Sequence, residues 1–158
     1  MKSAVVYYSY SGNTRKVAKT LLGLLAKNGE AREIELVALD ESGNFFKQCL
    51  RARKHVRAKI DNSELDLSGY GLICFGTPVW AFAPVPAMNT YLDNCKGVAG
   101  KKIILFTTYG SGTGNKNCLD YIQKFLSEKD ITEFKRFSIQ QLKVNDQDFV
   151  PIEIKKIL

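Results

Sequence analysis

The chain has 158 residues, 45% of them hydrophobic and 25% charged, and a formal net charge of +7. This balance excludes a disordered or collagen-like chain, and the length fits one domain, residues 1–158, burying about two-thirds of its unfolded surface. No window approaches the roughly 20 apolar residues of a membrane span, and the N-terminus lacks a basic region followed by a sustained apolar stretch, so a cytoplasmic location is the default expectation.

In chain order, apolar runs alternate with helical patterns. Strands are predicted over Lys2 to Tyr8, Ala31 to Ala38, Gly71 to Gly76, Lys102 to Thr108 and Glu133 to Ile139. Helices are predicted over Thr14 to Asn28, Asn44 to Ile60, Val85 to Cys95 and Asn115 to Glu128, with a last one from about Asp146 to Ile157. Pro151 falls either in its first turn or at a break. Such alternation is the mark of an α/β three-layer sandwich, a parallel sheet with helices on both faces. Right-handed crossovers give its five strands the order 2-1-3-4-5, and ligands then bind outside the carboxyl ends of the strands where the order reverses, between the first and third.

The segment between the first strand and first helix, Ser9-Tyr10-Ser11-Gly12-Asn13-Thr14, is the most informative in the sequence. The first-turn N–H groups of a helix lack intrahelical partners and sit at the positive end of its dipole, which makes an anion seat. Ser9, Ser11 and Thr14 add hydroxyl donors. The loop has no lysine, unlike a triphosphate-binding loop, and one glycine where a dinucleotide fingerprint needs three, so it suits a terminal monophosphate. A turn that merely caps a helix needs one or two such residues, not six in order. The segment resembles the FMN-phosphate loop of the flavodoxin family, [ST]-x-[ST]-G-N-T, with every defined position filled. The resemblance implies a flavodoxin-like fold and FMN as cofactor.

Two further loops meet the first at the same end of the sheet. The second, Thr77 to Pro86, holds Trp80, Phe82 and three prolines, and its start, Gly76-Thr77-Pro78-Val79-Trp80, with Pro84 and Tyr91-Leu92 downstream, resembles the G-[ST]-P-[VI]-[WY] pattern of flavodoxin-like proteins and flavin reductases. The third, Thr108 to Gly114, is rich in glycine, which lets backbone approach a ligand closely. Taken over position by position, the resemblance implies that Ser9, Ser11, Gly12, Asn13 and Thr14 bind the phosphate, with Tyr10 lending its backbone. It places Pro78, Val79, Trp80 and Phe82 along one side of the flavin ring, and Thr108, Tyr109, Gly110, Ser111 and Gly112 at its other edge.

Departures from the electron-carrying members bear on mechanism. Many of them cover the outer ring face with an aromatic just after a Tyr-Gly step, where this chain has Ser111. They often place a glycine in the second loop whose peptide flip favours one-electron reduction, and Val79 to Ala83 contains none. They are typically acidic, whereas this chain is basic, which favours the anionic fully reduced flavin. The resemblance as a whole implies an FMN-binding electron carrier serving a redox partner protein, while these three departures favour the alternative. The alternative is an NAD(P)H-dependent reductase of a flavin, quinone or similar acceptor that works across an open ring face. A flavin-free interaction protein would leave the phosphate loop without a purpose.

Most of the charge is local. Lys47, Arg51, Arg53, Lys54, Arg57 and Lys59 fall between Ser42 and Ile60 with no acid. The predicted second helix sets an apolar stripe of Phe45, Cys49, Val56 and Ile60, with Phe46 and Leu50, opposite the cations. A solvated face on a core-packed helix accounts for this, and an acidic partner, a phosphorylated cofactor such as NADPH, nucleic acid or anionic membrane are the functional options. Nucleic acid is disfavoured because no recognition motif accompanies the patch. His55, the only histidine, lies in this segment and is assigned no role. Cys49, Cys74, Cys95 and Cys118 form no C-x-x-C pair and read as buried reduced thiols without a metal site. Ser9 and Thr77 stand where a phosphoacceptor receiver domain needs acidic residues, which removes that use of the fold.

Overall fold

The computed structural model describes residues 1–61 and 64–158. Five strands, β1 (Ser3–Tyr7), β2 (Ala31–Glu35), β3 (Leu72–Pro78), β4 (Lys102–Tyr109) and β5 (Glu133–Gln140), form one parallel sheet of order β2-β1-β3-β4-β5. Helices α1 (Asn13–Leu25), α2 (Phe45–Arg53), α3 (Pro86–Asn94), α4 (Asn115–Ser127) and α5 (Phe149–Lys155) alternate with the strands. Strand order and element sequence are those expected from the chain.

The period of two sorts the strand residues between two cores. Ala4, Val6, Ile73, Phe75, Ile103 and Leu105 point to the layer of α3 and α4, where they meet Met88, Leu92, Cys118 and Ile122. Val5, Tyr7, Leu72, Cys74, Ile104 and Phe106 point to the layer of α1 and α5, against Val17, Leu21, Leu25, Val150 and Ile154. In α1 the buried Val17, Ala18, Leu21 and Leu25 recur at helical spacing and fix its inward face. Pro151 is the third residue of α5, inside the first turn where a missing N–H leaves no helical bond unmade. No helix among the described residues is long and apolar enough to cross a membrane.

The second helix differs from its expected span. Asn44 starts it by accepting from the N–H of Phe46 at 3.0 Å and of Lys47 at 3.4 Å. It ends at Arg53, seven residues short of Ile60, because His55 takes a left-handed φ of 51°. The N–H of Val56 then bonds the carbonyl of Arg51, and that of His55 the carbonyl of Ala52, both at 2.9 Å. These paired bonds are a Schellman stop, which usually carries glycine at the turning residue. Beyond it the chain runs back along the sheet edge, with Ala38 and Ile60 in an antiparallel bridge. The inward face of α2 is Gln48 and Ala52, while Phe45, Phe46 and Leu50 are exposed, so the expected apolar stripe is not the packed one. His55, Val56, Arg57, Lys59 and Ile60 lie outside the helix.

Candidate functional site

The turn after β1 enters α1 through Gly12, whose φ of 90° is open to glycine without strain. A Cβ built there would meet nothing within 4 Å, so the space over the turn is free. No side chain caps α1 at Gly12, and no acceptor among the described residues reaches the N–H of Asn13 or Thr14. One first-turn donor is taken, that of Arg15, by Ser9 Oγ at 3.2 Å. The turn therefore presents free N–H groups, a helix dipole and the hydroxyls of Ser11 and Thr14 to an anion. Thr14 is held by a 2.8 Å hydrogen bond between its hydroxyl and that of Thr108 at the end of β4, both buried.

Beside this turn lies a cleft of about 490 Å³, within the usual size for small-molecule sites. The carboxyl ends of β1, β3 and β4 converge on it. Tyr10, Ser11 and Thr14 of the first loop, Pro78, Val79 and Trp80 of the second, and Thr108, Gly110 and Ser111 of the third all line it. Ser9, Gly12 and Asn13, in the turn itself, are not among the residues that line it. Tyr109, Gly112 and Phe82 do not line it. Phe82 instead packs on Gly114, where a Cβ would come within 2.4 Å of its ring.

The second loop is a tight turn. Trp80 and Ala83 exchange both backbone hydrogen bonds at 3.0 Å, with Ala81 and Phe82 between them at φ of 48° and 67°. Two successive left-handed residues without glycine carry backbone strain. The turn is fixed by the N–H of Val79 on the Thr108 carbonyl at 2.9 Å, and by the N–H of Val85 on the Thr77 hydroxyl at 3.2 Å. It buries Trp80 against the rings of Tyr8, Tyr10 and Phe45, each edge-on with centroids 5.4 to 5.8 Å away.

Phe45, Cys49, Ala81 and Gln141 line the cleft without having been singled out in the sequence. Phe45 and Cys49 sit four apart on α2, a spacing that put them together on one face but gave no sign that this face borders the site. Gln141 comes close to Gly110 from the segment after β5. Behind the tryptophan, the Tyr8 hydroxyl donates to the Glu41 carboxylate, whose pKa burial raises while Arg51 opposes. Arg51 itself donates to Gln48 at 3.0 Å and pairs with Asp40 at 2.9 Å. Cys74, Cys95 and Cys118 are buried and Cys49 half-buried, and burial raises the pKa of each thiol.

A protein-family model described as flavodoxin matches residues 2–143. No curated protein sequence matches the chain. Among solved structures, a flavoprotein from Lactobacillus acidophilus in complex with FMN is 22% identical, with a TM-score of 0.67 over 85% of this chain and 92% of that one. Oxidised flavodoxin 1 from Bacillus cereus is 16% identical, with a TM-score of 0.63 over 100% and 99% of the two chains. An azoreductase from Bacillus anthracis is 15% identical, with a TM-score of 0.60 over 99% and 96%. At these identities the likeness is one of fold.

Proposed function

The chain belongs to the flavodoxin family, and from that membership we propose that it binds FMN in the cleft at the ends of β1, β3 and β4 and works as a redox protein. The observation that carries this reading is the convergence of an uncapped, glycine-entered helix N-terminus, the hydroxyls of Ser11 and Thr14, and the apolar wall of Pro78, Val79 and Trp80 on one cleft. An anion seat beside an apolar slot is what a phosphorylated planar molecule requires.

Bound there, FMN supplies the electron chemistry, singly or in pairs. The chain supplies the rest. The N–H groups of Asn13 and Thr14 and the Ser11 and Thr14 hydroxyls hold the phosphate. Val79 and Trp80 exclude water from one side of the ring, and the backbone of Thr108 and Gly110 offers polar groups to its edge. Electron transfer to a partner protein is the primary reading. Reduction of a small acceptor by NAD(P)H is the second, favoured by Ser111, an exposed small residue at the rim that leaves the cleft mouth open to a planar substrate.

Titrating the protein with FMN and following the flavin absorbance tests the cofactor; a shifted spectrum saturating at one FMN per chain is expected, and a spectrum of free FMN throughout overturns the reading. With FMN bound, steady oxidation of NADPH or NADH in the presence of a quinone supports the reductase, and no turnover supports the carrier.

A further inference from the structure

We propose that the outward face of α2 is the docking surface for an acidic redox partner protein, an inference that rests on the flavin reading above. Phe46, Leu50, Arg53 and Lys54 recur at i, i+4, i+7 and i+8 and so share one face of the helix. All four are exposed, Phe46 at 82% and Leu50 at 55%, while Gln48 and Ala52 turn to the interior. The face is ordered along its length, with two large apolar side chains at the end nearest the cleft and two cations at the far end.

The cations are available. Arg51 and Arg57 are engaged by Asp40 and Asp93, whereas Lys47, Arg53 and Lys54 make no ion pair among the described residues. Contiguous exposed apolar side chains bordered by charge mark interaction surfaces. A dry apolar centre with a charged rim is the anatomy of a protein interface, and the rim steers association with a partner of opposite sign.

The position links this face to the cleft. Phe45, the first residue of α2, lines the cleft and packs edge-on against Trp80 at 5.5 Å, and its neighbour Phe46 begins the outward face. A protein seated on Phe46 and Leu50 therefore lies within about one helix diameter, some 10 Å, of the candidate flavin. A lipid surface would instead favour cations flanking an apolar face along its whole length. Apolar residues next to the cleft and cations beyond fit a partner with apolar contacts around its own redox centre and acidic residues outside them.

Calorimetric titration of the full chain, with and without FMN, against the soluble haem domain of an acidic b-type cytochrome tests the surface. Complex formation is expected, with at least tenfold weaker binding for Phe46→Ser/Leu50→Ser and for Arg53→Glu/Lys54→Glu. The charge-reversed pair should lose most of the salt dependence and gain affinity for a basic c-type cytochrome. FMN affinity should stay unchanged in both variants, since none of the four residues lines the cleft, and it also reports that they fold; where FMN fails to bind, far-UV circular dichroism takes over that role. If FMN fails to bind but the cytochrome binds with this variant sensitivity, the flavin reading falls and the docking surface stands. No binding of the cytochrome, binding indifferent to both variant pairs, or variant-sensitive binding only to phosphatidylserine vesicles, duplex DNA or a second copy of the chain overturns the proposal.

Discussion

The hydroxyl of Thr14 lies 2.8 Å from that of Thr108, with both residues buried. This one hydrogen bond ties the entrance of α1 to the end of β4, so the proposed phosphate turn and the third loop are held at a set separation across the cleft. A Thr14→Val variant keeps the shape and leaves Thr108 without its partner. An unsatisfied buried hydroxyl costs about 1–3 kcal/mol. Denaturant unfolding should show a loss in that range, FMN binding should weaken about tenfold, which is about 1.4 kcal/mol, and Thr14→Ser should recover most of both.

Phe45 supplies an aromatic edge to the single tryptophan of the chain. Removing it as Phe45→Ala forfeits about 0.5–1.5 kcal/mol of ring packing and opens Trp80 to water. Its fluorescence emission should move to longer wavelength, and FMN should bind up to about tenfold more weakly. Unchanged emission would mean that Phe45 does not shield Trp80.

The Trp80 to Ala83 turn carries left-handed φ values at Ala81 and Phe82. Ala81→Gly relieves a strain of about 1–3 kcal/mol while adding about 0.5–1 kcal/mol of unfolded-state freedom. Thermal unfolding should therefore give a variant more stable by about 1 kcal/mol. Gly114→Ala should act in the opposite sense, since its Cβ would collide with the Phe82 ring. A destabilised Ala81→Gly would show that the turn is not strained.

His55 stacks on Tyr121 at 4.0 Å, its Nδ1 buried without a partner among the described residues. Burial, and then the Arg57 guanidinium, hold its imidazole below the ordinary value of 6.5. The unfolded chain then binds the proton more readily than the folded one, so stability is full at neutral pH and falls as pH drops below about 6.5. His55→Asn, which tolerates the left-handed backbone, should lack this fall between pH 7 and pH 5 when unfolding is measured in urea. Equal slopes for the two proteins would contradict the assignment.

The five strands and their order were legible because their apolar runs are short, bounded and alternate with helical spacing. The turn proposed to hold the phosphate stood out because its residue types are those a helix N-terminus needs around an anion. The end of α2 was not, because the residue that stops it is histidine rather than glycine, and nothing in Lys54-His55-Val56 announces a left-handed conformation. For the same reason Val56 and Ile60 counted toward a stripe that the helix never reaches. Phe82 looked like a ring wall beside Trp80, but in the tight turn between Trp80 and Ala83 it packs on Gly114 and does not line the cleft. Phe45, Cys49 and Gln141 come to the cleft from elements distant in sequence, so only the tertiary arrangement could place them there.

The most direct test is a comparison of FMN with riboflavin, which differs from it by the phosphate alone, by quenching of flavin fluorescence on the wild-type chain and on Gly12→Asp, with circular dichroism to confirm that the variant folds. FMN should bind the wild type at least 100-fold more tightly than riboflavin, about 2.7 kcal/mol, and Gly12→Asp should abolish that advantage. Equal affinities for the two flavins, or an advantage that survives Gly12→Asp in a folded protein, would contradict the phosphate seat at the N-terminus of α1.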